Sequence, residues 1–158
     1  MFVDLDISQG EWFDFRMSNI DPNTGEVVWG EPVEGVSVCI RSMKPFFEER
    51  INKREKIVEW KINPKTRANE KHVNFKDLTP EEAQIERDDA FDYAIVNWKG
   101  FSSKTSRQPI ECIRANKLAM MKKDFFDRFF ADCQQKIDSL GIEIEQKVAE
   151  NLSKPQNG

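Results

Sequence analysis

The chain has 158 residues, of which 33% are charged and 39% are apolar, and it contains 12 Phe and 4 Trp. This length fits one domain, or one small domain with appendages, and the aromatic content excludes a chain that is disordered throughout. The net charge of −4 and the isoelectric point near 5.2 argue against a general affinity for nucleic-acid backbone, which requires a basic surface.

Residues 11 to 43 have the alternating pattern of β-strands. In "EWFDFRMSNI", Phe13, Phe15 and Met17 share one parity, so we expect one face of this strand to be buried. The segment "DPNTGE" supplies turn residues, and "VVWGEPVEGVSVCIRSM" then resumes strand character with Gly and Pro interruptions. Residues 1–43 are therefore predicted to form a hairpin or meander, whose second arm is two short strands separated by a bend or bulge.

Trp12 and Trp29 lie on opposite arms of this predicted hairpin. Opposed aromatic side chains stabilise antiparallel strand pairs, so we interpret the two residues as a cross-strand pair. The alternative interpretation is an aromatic edge offered to a partner protein. Both residues are therefore kept as candidate partner-binding residues.

The period changes in "KPFFEERINKREKIVEWKI", residues 44–62. Phe47, Ile51 and Val58 recur at helical spacing and the rest of the segment is heavily charged, which predicts an amphipathic helix. The polar residues 63–77 follow without a clear period. They are expected to form a linker or a mobile loop.

The next helix has the clearest predicted start in the chain. In "LTPEEA", Thr79 is the expected N-cap, Pro80 occupies the first helical position and Glu82 completes a capping box. This combination places the beginning of a helix at residue 80.

The end of that helix is predicted in "AIVNWKGF". Apolar residues at helical spacing continue to Trp98, and Gly100 is expected to be the left-handed residue that stops the helix. Phe101 is then expected to fold back and close the helix end, with Trp98 over the last turn. Trp98, Gly100 and Phe101 are thus given structural roles.

The remainder of the chain has helical character. We predict a short helix over 113–121, a longer one over 124–139, a break at Gly141 and a flexible tail at 153–158. The predicted fold class is α+β, with an N-terminal antiparallel hairpin or small sheet and a helical subdomain of about four helices over 44–152. The helices are expected to pack around four aromatic residues, which are Phe47, Phe91, Trp98 and Phe125.

The segment "FFDRFF" places four Phe rings on a broad stripe of one helix. Such a stripe is either core or an interface with another chain, because a monomer rarely exposes so much apolar area. The pair of methionines just before it adds two adaptable apolar side chains. The candidate partner-binding residues in this part of the chain are Met120, Met121, Phe126, Phe129 and Phe130.

Few residues suggest catalysis or metal binding. His72 is the only histidine, and it lies in a polar stretch without Cys or His at the spacing of zinc ligands. Neither the P-loop nor the dinucleotide-binding glycine pattern occurs. The acids Glu86, Asp88 and Asp89 are best explained as a solvated helix face. We therefore assign no catalytic, metal-binding or cofactor-binding residue and expect no enzymatic activity.

The three cysteines, Cys39, Cys112 and Cys133, are widely spaced and odd in number, as in a reduced cytosolic protein. The start "MFVDLDISQGEW" lacks the pattern of a secretory signal. No apolar run approaches the roughly 20 residues that span a bilayer. A membrane and nucleic acid are thus not expected as partners.

Several segments in order resemble the tail assembly chaperones of long-tailed bacteriophages. They are "VCIRSMKPFFEERI", "LTPEEA" leading to "AIVNWKGF", then "QPIECIRANKLAMM" and "FFDRFF". The resemblance covers roughly residues 36–130. The positions that match the family pattern are Arg41, Ser42, Phe46, Phe47, Ile95, Val96, Trp98, Gly100, Phe101, Pro109, Asn116, Met120, Met121 and Phe125.

The resemblance implies a protein without catalysis or cofactor that works in the cytoplasm of an infected bacterium and is absent from the finished virion. It implies that apolar helix faces bind tape measure protein and tail tube subunits during tail assembly, with self-association as a further possibility. The alternative is a structural virion component, such as a head–tail connector or a minor tail protein. A small enzyme is the third hypothesis.

Overall fold

The computed structural model describes the backbone of residues 9–153 and the side chains of residues 9–140. The predicted tail at 153–158 lies outside the described residues, apart from residue 153. The elements run in the order β1 Glu11–Ile20, β2 Val27–Ile40, α1 Lys44–Lys53, β3 Lys56–Ile62, β4 Asn69–Phe75, α2 Pro80–Ala94, β5 Ile95–Lys99, α3 Arg114–Met121 and α4 Asp124–Ser153. These elements confirm the predicted α+β class, since residues 9–153 contain N-terminal antiparallel strands and four helices.

The chain divides into two compact units. One unit combines the described parts of Met1–Met43 and Phe91–Gly158, and the other is Lys44–Ala90. Helices α3 and α4 therefore belong with the N-terminal strands, whereas the predicted division grouped them with all other residues of 44–152. We describe each unit separately.

The first unit contains a three-stranded antiparallel sheet in the order β1–β2–β5. The second arm is one 14-residue strand, so the prediction of two short strands is wrong. The expected irregularity is present, because the register shifts between the pairs Asp14–Ser37 and Arg16–Pro32. The bulge lets β2 continue past Pro32, which cannot donate a ladder hydrogen bond.

The core of this unit lies between the sheet and helices α3 and α4. Apolar residues of β1, β2 and β5 face the aromatic side of α4, and the rings meet edge to face. Arg128 of α4 adds a polar tie, since its Nε donates to Ser18 Oγ of β1 at 2.8 Å. The buried cluster consists of Phe15, Val38, Ile40, Ala94, Ile95, Trp98, Met121, Phe126, Phe129, Phe130, Cys133 and Ile137.

Helix α2 ends at Ala94, and the predicted last turn of that helix is instead strand β5. Trp98 pairs with Val38 of β2, and its indole Nε1 donates to the carbonyl oxygen of Ile110 at 2.7 Å. Gly100 has φ +90°, so its left-handed conformation is confirmed, but it turns the chain out of a strand. Phe101 packs on Trp98 at 5.7 Å between ring centroids, so it closes the end of β5 and not a helix end.

The second unit differs most from its prediction. Helix α1 ends at Lys53, and residues 56–62 form a strand that pairs antiparallel with 69–75. The single helix over 44–62 and the linker over 63–77 were therefore both wrong. Residues 56–62 contain β-branched and aromatic side chains at period 2, and their cross-strand partners decide between that pattern and the helical one.

The predicted beginning of α2 is confirmed. The helix starts at Pro80, and the Glu82 N–H donates to Thr79 Oγ1 at 3.2 Å. Within the same unit, two ion pairs join α1 to α2. Arg50 pairs with Asp89 at 2.9 Å, and Arg54 pairs with Glu86. The acids of α2 are therefore partly engaged and not purely solvated.

The short helix predicted over 113–121 is confirmed as α3. Helix α4 begins at Asp124 as predicted but continues without a break to Ser153, so the expected break at Gly141 is wrong. A single glycine inside a helix costs only about 1 kcal/mol, which the flanking helix formers offset. The side chains of the predicted final amphipathic segment lie outside the described residues.

Candidate interaction surface

The four rings of "FFDRFF" do not form an open surface. Phe126, Phe129 and Phe130 are almost completely buried, and Phe15 of β1 contacts Phe129 at 5.0 Å between centroids. Their assignment as partner-binding residues is therefore corrected, and the alternative assignment to the core is confirmed. The physical reason is that the aromatic side of α4 is covered by the sheet of its own chain.

The methionines of α3 follow the same pattern. Met121 is buried within the core cluster, and Met120 is half-buried and packs against it. Neither side chain is freely accessible to a partner, so this assignment is corrected as well. Met121 is the last residue of α3, and it belongs to the same buried cluster as the core residues of the sheet and of α4.

The two tryptophans of the N-terminal strands do not face each other. Trp12 pairs with Cys39 and Trp29 pairs with Ser18, so the predicted cross-strand pair is wrong. Trp29 is half-buried against the core, whereas Trp12 is about half exposed and carries Lys99 Nζ at 4.4 Å from its ring centroid. Of the seven candidate partner-binding residues, Trp12 is thus the most accessible.

A different surface exposes far more apolar area. The β3–β4 hairpin has no buried residue, and directly paired residues of an antiparallel ladder share one face. The pairs Lys56–Phe75, Val58–Val73, Trp60–Lys71 and Ile62–Asn69 define one face, which we call the apolar face. Its five apolar side chains are Val58, Trp60, Ile62, Val73 and Phe75, and each of them is between 45% and 70% exposed.

The opposite face of the hairpin is polar. It carries the pairs Ile57–Asn74, Glu59–His72 and Lys61–Glu70. His72 Nε2 lies 3.8 Å from Glu70 Oε2, and Lys61 Nζ lies 3.3 Å from Glu59 Oε2. Both acids of the two strands are thus on the polar face, while the apolar face carries lysine as its only charged residue type.

A well-formed loop fixes this partition of the two faces. The Asn63 side chain accepts from the Lys65 N–H at 2.9 Å, and the Asn63 N–H donates to the carbonyl oxygen of Ala68 at 2.9 Å. Arg67 adopts a positive φ of 57°, which closes the loop. Because a one-residue slip would exchange the faces, this loop keeps the five apolar side chains on the same side.

The tip of the β1–β2 hairpin carries a smaller exposed apolar group. Ile20 pairs with Val27 on one face, and Val28 lies on the other. All three side chains are more than 40% exposed, next to the turn that begins at Asp21. Because these three side chains are divided between the two faces of the hairpin, they form no apolar row as long as the one on the β3–β4 hairpin.

The cysteines are held as thiols by their surroundings. Burial raises the pKa of Cys39 and of Cys112, and it raises the pKa of Cys133 to about 12. Because the thiolate is the nucleophile, such shifts disfavour thiol chemistry near neutral pH.

Among the described residues, no group of three or more His, Cys, Asp or Glu side chains is placed to hold a metal ion.

The sequence contained a signal for the apolar face that helical spacing obscured. Val58, Trp60 and Ile62 alternate with polar residues, as do Val73 and Phe75. Two runs of period 2 around a polar Asn-Pro loop are typical of a hairpin. The surface was missed because each run is short and because helix α1 precedes the first run without a strong stop.

None of the described helices combines the length and the apolar character that crossing a lipid bilayer requires. Comparison of the chain with protein-family models, with curated proteins and with solved structures gives no match.

Proposed function

We propose that this protein binds another polypeptide and works as a tail assembly chaperone of the kind found in long-tailed bacteriophages. It holds apolar segments of the tape measure protein while tail tube subunits assemble around them. The observation that carries the proposal is the exposed apolar face of the β3–β4 hairpin. The ordered resemblance over residues 36–130 supports the same function.

The free energy available at this face is sufficient for reversible binding. Full burial of a large apolar side chain contributes about 1.5 to 3 kcal/mol relative to full exposure. Five side chains that are already about half covered therefore offer several kcal/mol to a partner, before the cost of association. A holdase needs such a surface together with charge that keeps the complex in solution, and the net charge of −4 suits that need.

The proposal places the partner on a strand face and not on the helix faces that the resemblance implied. The rings of α4 stabilise the folded chain, so a chaperone that exposed them would have to unfold. The hairpin offers its apolar side chains without any rearrangement. An isolated hairpin is only marginally stable in water, so contact with a partner would also stabilise the hairpin itself.

Co-expression with a tape measure protein tests this function. Tape measure protein expressed alone is expected to sediment as aggregate, and this chain is expected to keep it in the supernatant and to co-purify with it. Substituting Val58→Thr with Ile62→Thr removes apolar area from the binding face and is expected to weaken co-purification about tenfold or more. Ile57→Thr changes a residue of similar exposure on the polar face and is the matched control.

The composition of purified virions separates this function from its alternative. An assembly chaperone is expected to be missing from purified virions of the phage that encodes it. Detection of the chain there in stoichiometric amounts would support a head–tail connector or minor tail protein and would refute the chaperone. Failure to retain tape measure protein in solution would refute it independently.

A further inference from the structure

Charge on the β3–β4 hairpin is divided between its two faces. Lys56 and Lys71 are the charged residues of the apolar face, and Lys56 Nζ lies 5.8 Å from the centroid of the Phe75 ring. Glu59 and Glu70 lie on the polar face. In a chain with a net charge of −4, this face is therefore both apolar and locally basic.

The dimensions of the face suit one helix. Seven residues in each strand give a length of about 23 Å at roughly 3.3 Å per residue. An α-helix of the same length contains about 15 residues at 1.5 Å per residue, and its diameter of about 10–12 Å matches a two-stranded ribbon with its side chains. About four helical turns would thus cover the whole row from Phe75 to Ile62.

Backbone hydrogen bonding also favours a helix over an extended segment. A strand would pair with the edges of the hairpin, whereas a segment lying across the side-chain face would leave its backbone N–H and C=O groups without partners. A helix satisfies these groups internally and can bury its apolar stripe on the face. Acidic residues beside that stripe would then meet Lys56 and Lys71.

Other occupants fit the face less well. A second copy placed face to face would offer no acidic partner to the two lysines, since the paired residues of the apolar face include neither Asp nor Glu. Nucleic acid and anionic membranes prefer surfaces richer in positive charge, whereas this face has two lysines beside three aliphatic side chains in an acidic chain.

We propose that the apolar face of the β3–β4 hairpin is a docking site for an amphipathic α-helix of about four turns, whose apolar stripe is flanked by acidic residues. The proposal rests on the proposed function and specifies the chemistry of the partner segment. Val58, Trp60 and Ile62 contact the apolar stripe, and the two lysines set the preference for acidic flanks.

Binding of two labelled peptides to the full chain tests the preference, with fluorescence anisotropy as the measurement. Both peptides have 16 residues and one leucine stripe; glutamate flanks the stripe in the first and lysine in the second. The glutamate peptide is expected to bind about tenfold more tightly at low salt, since exposed ion pairs contribute modestly and like charges repel. Equal affinity for the two peptides would overturn the proposal.

A charge reversal distinguishes a changed binding preference from a variant that fails to fold, because only a folded variant can gain affinity for the second peptide. The double variant Lys56→Glu with Lys71→Glu is expected to lose affinity for the glutamate peptide and to gain affinity for the lysine peptide. Lys61→Glu, on the polar face of the same strand, is the matched control and is expected to keep the wild-type preference. If Lys61→Glu changed the preference as much as the double variant, the assignment of the site to the apolar face would be wrong.

Three further outcomes would also overturn the proposal. The first is tighter binding of a 15-nucleotide single-stranded oligonucleotide than of the glutamate peptide, and the second is tighter binding of phosphatidylglycerol vesicles than of that peptide. The third is a dimer in sedimentation velocity that the double variant Val58→Thr with Ile62→Thr dissociates. The function and this inference fail separately. If the hairpin variants still retained tape measure protein, the inference and the placement of the partner on the hairpin would fail, while the chaperone activity would stand. If the peptides bound as expected but tape measure protein did not, only the function would fail.

Discussion

Gly100 lies so close to the backbone of Gly35 that a Cβ atom on Gly100 would overlap the Gly35 carbonyl oxygen. The contact occurs where β5 ends beside β2, one residue after the pair Lys99–Ser37. Gly100 also has φ +90°, a conformation that L side chains rarely adopt. Two separate constraints therefore require glycine at this position.

Gly100→Ala is expected to lower the free energy of unfolding by about 2–5 kcal/mol, since the positive φ and the overlap each contribute. Urea denaturation measures the change. Gly25→Ala is the control, because Gly25 has φ +71° but no atom within 4 Å of its added Cβ, and it should cost only about 1–2 kcal/mol. Equal losses in the two variants would contradict the contact between Gly100 and Gly35.

Local signals in the sequence predicted the elements whose form depends on neighbouring residues. The N-cap at Thr79, the first-turn Pro80 and the short helix α3 all depend on contacts within a few positions. The strand at 11–20 was predicted from the alternation of Phe13, Phe15 and Met17, and only Phe15 of the three is fully buried. Local chemistry thus located these elements without any knowledge of the fold.

Elements that depend on distant partners were not predictable in the same way. Ile95–Lys99 has the apolar spacing of a last helical turn, and a glycine follows a helix or a strand equally well. The pairing with β2, nearly 60 residues earlier, decides that it is a strand. The β3–β4 hairpin was missed for the same reason, because its alternation became decisive only when the two strands paired.

The candidate site shows the same limit. Periodicity identified the Phe stripe of α4 as an apolar face, but it could not say whether this chain or another covers it. The sheet covers it, and the exposed apolar row of the β3–β4 hairpin lies where the end of a helix and a polar linker were expected. Exposure depends on the whole fold, so the accessible surface was the least predictable feature of the chain.

Phe126→Ala is expected to destabilise the protein by about 3–5 kcal/mol, because Phe126 is fully buried and its removal leaves a cavity in the aromatic core. Phe75→Ala, on the exposed apolar face, is the comparison and should change stability by less than about 1 kcal/mol. Thermal and urea unfolding measure both changes. A Phe126 variant as stable as the Phe75 variant would restore α4 as an accessible surface.

Thr79→Ala is expected to cost about 1 kcal/mol, since it removes the acceptor of the Glu82 N–H and leaves that donor without its cap. Thr79→Ser keeps the hydroxyl and should cost only a few tenths of that amount. Hydrogen exchange at the Glu82 amide reports the cap directly, with faster exchange expected in the alanine variant alone. Unchanged exchange in that variant would refute the cap.

The Cys133 thiol gives the protein a defined response to alkaline pH. Burial raises its pKa from an ordinary value of 9.0 to about 12 in the folded protein. Between these two values the unfolded chain releases the proton and the folded protein keeps it. The contribution of this thiol to the free energy of unfolding is therefore complete below pH 9. It is lost as the pH rises towards 12, by up to about 1.4 kcal/mol per pH unit.

Cys133→Ala removes this titration and leaves every other alkaline group in place. The stability advantage of the wild type over the variant should be about 1.4 kcal/mol smaller at pH 10 than at pH 8. At pH 8 the thiol is protonated in both states, whereas pH 10 lies one unit above the pKa of the unfolded thiol. Urea denaturation of both proteins at both pH values gives this double difference, in which the titrations of lysine and tyrosine cancel. A stability difference that stayed constant, or that grew at pH 10, would mean that the folded protein releases the thiol proton at least as readily as the unfolded chain. Cys133 would then not be buried.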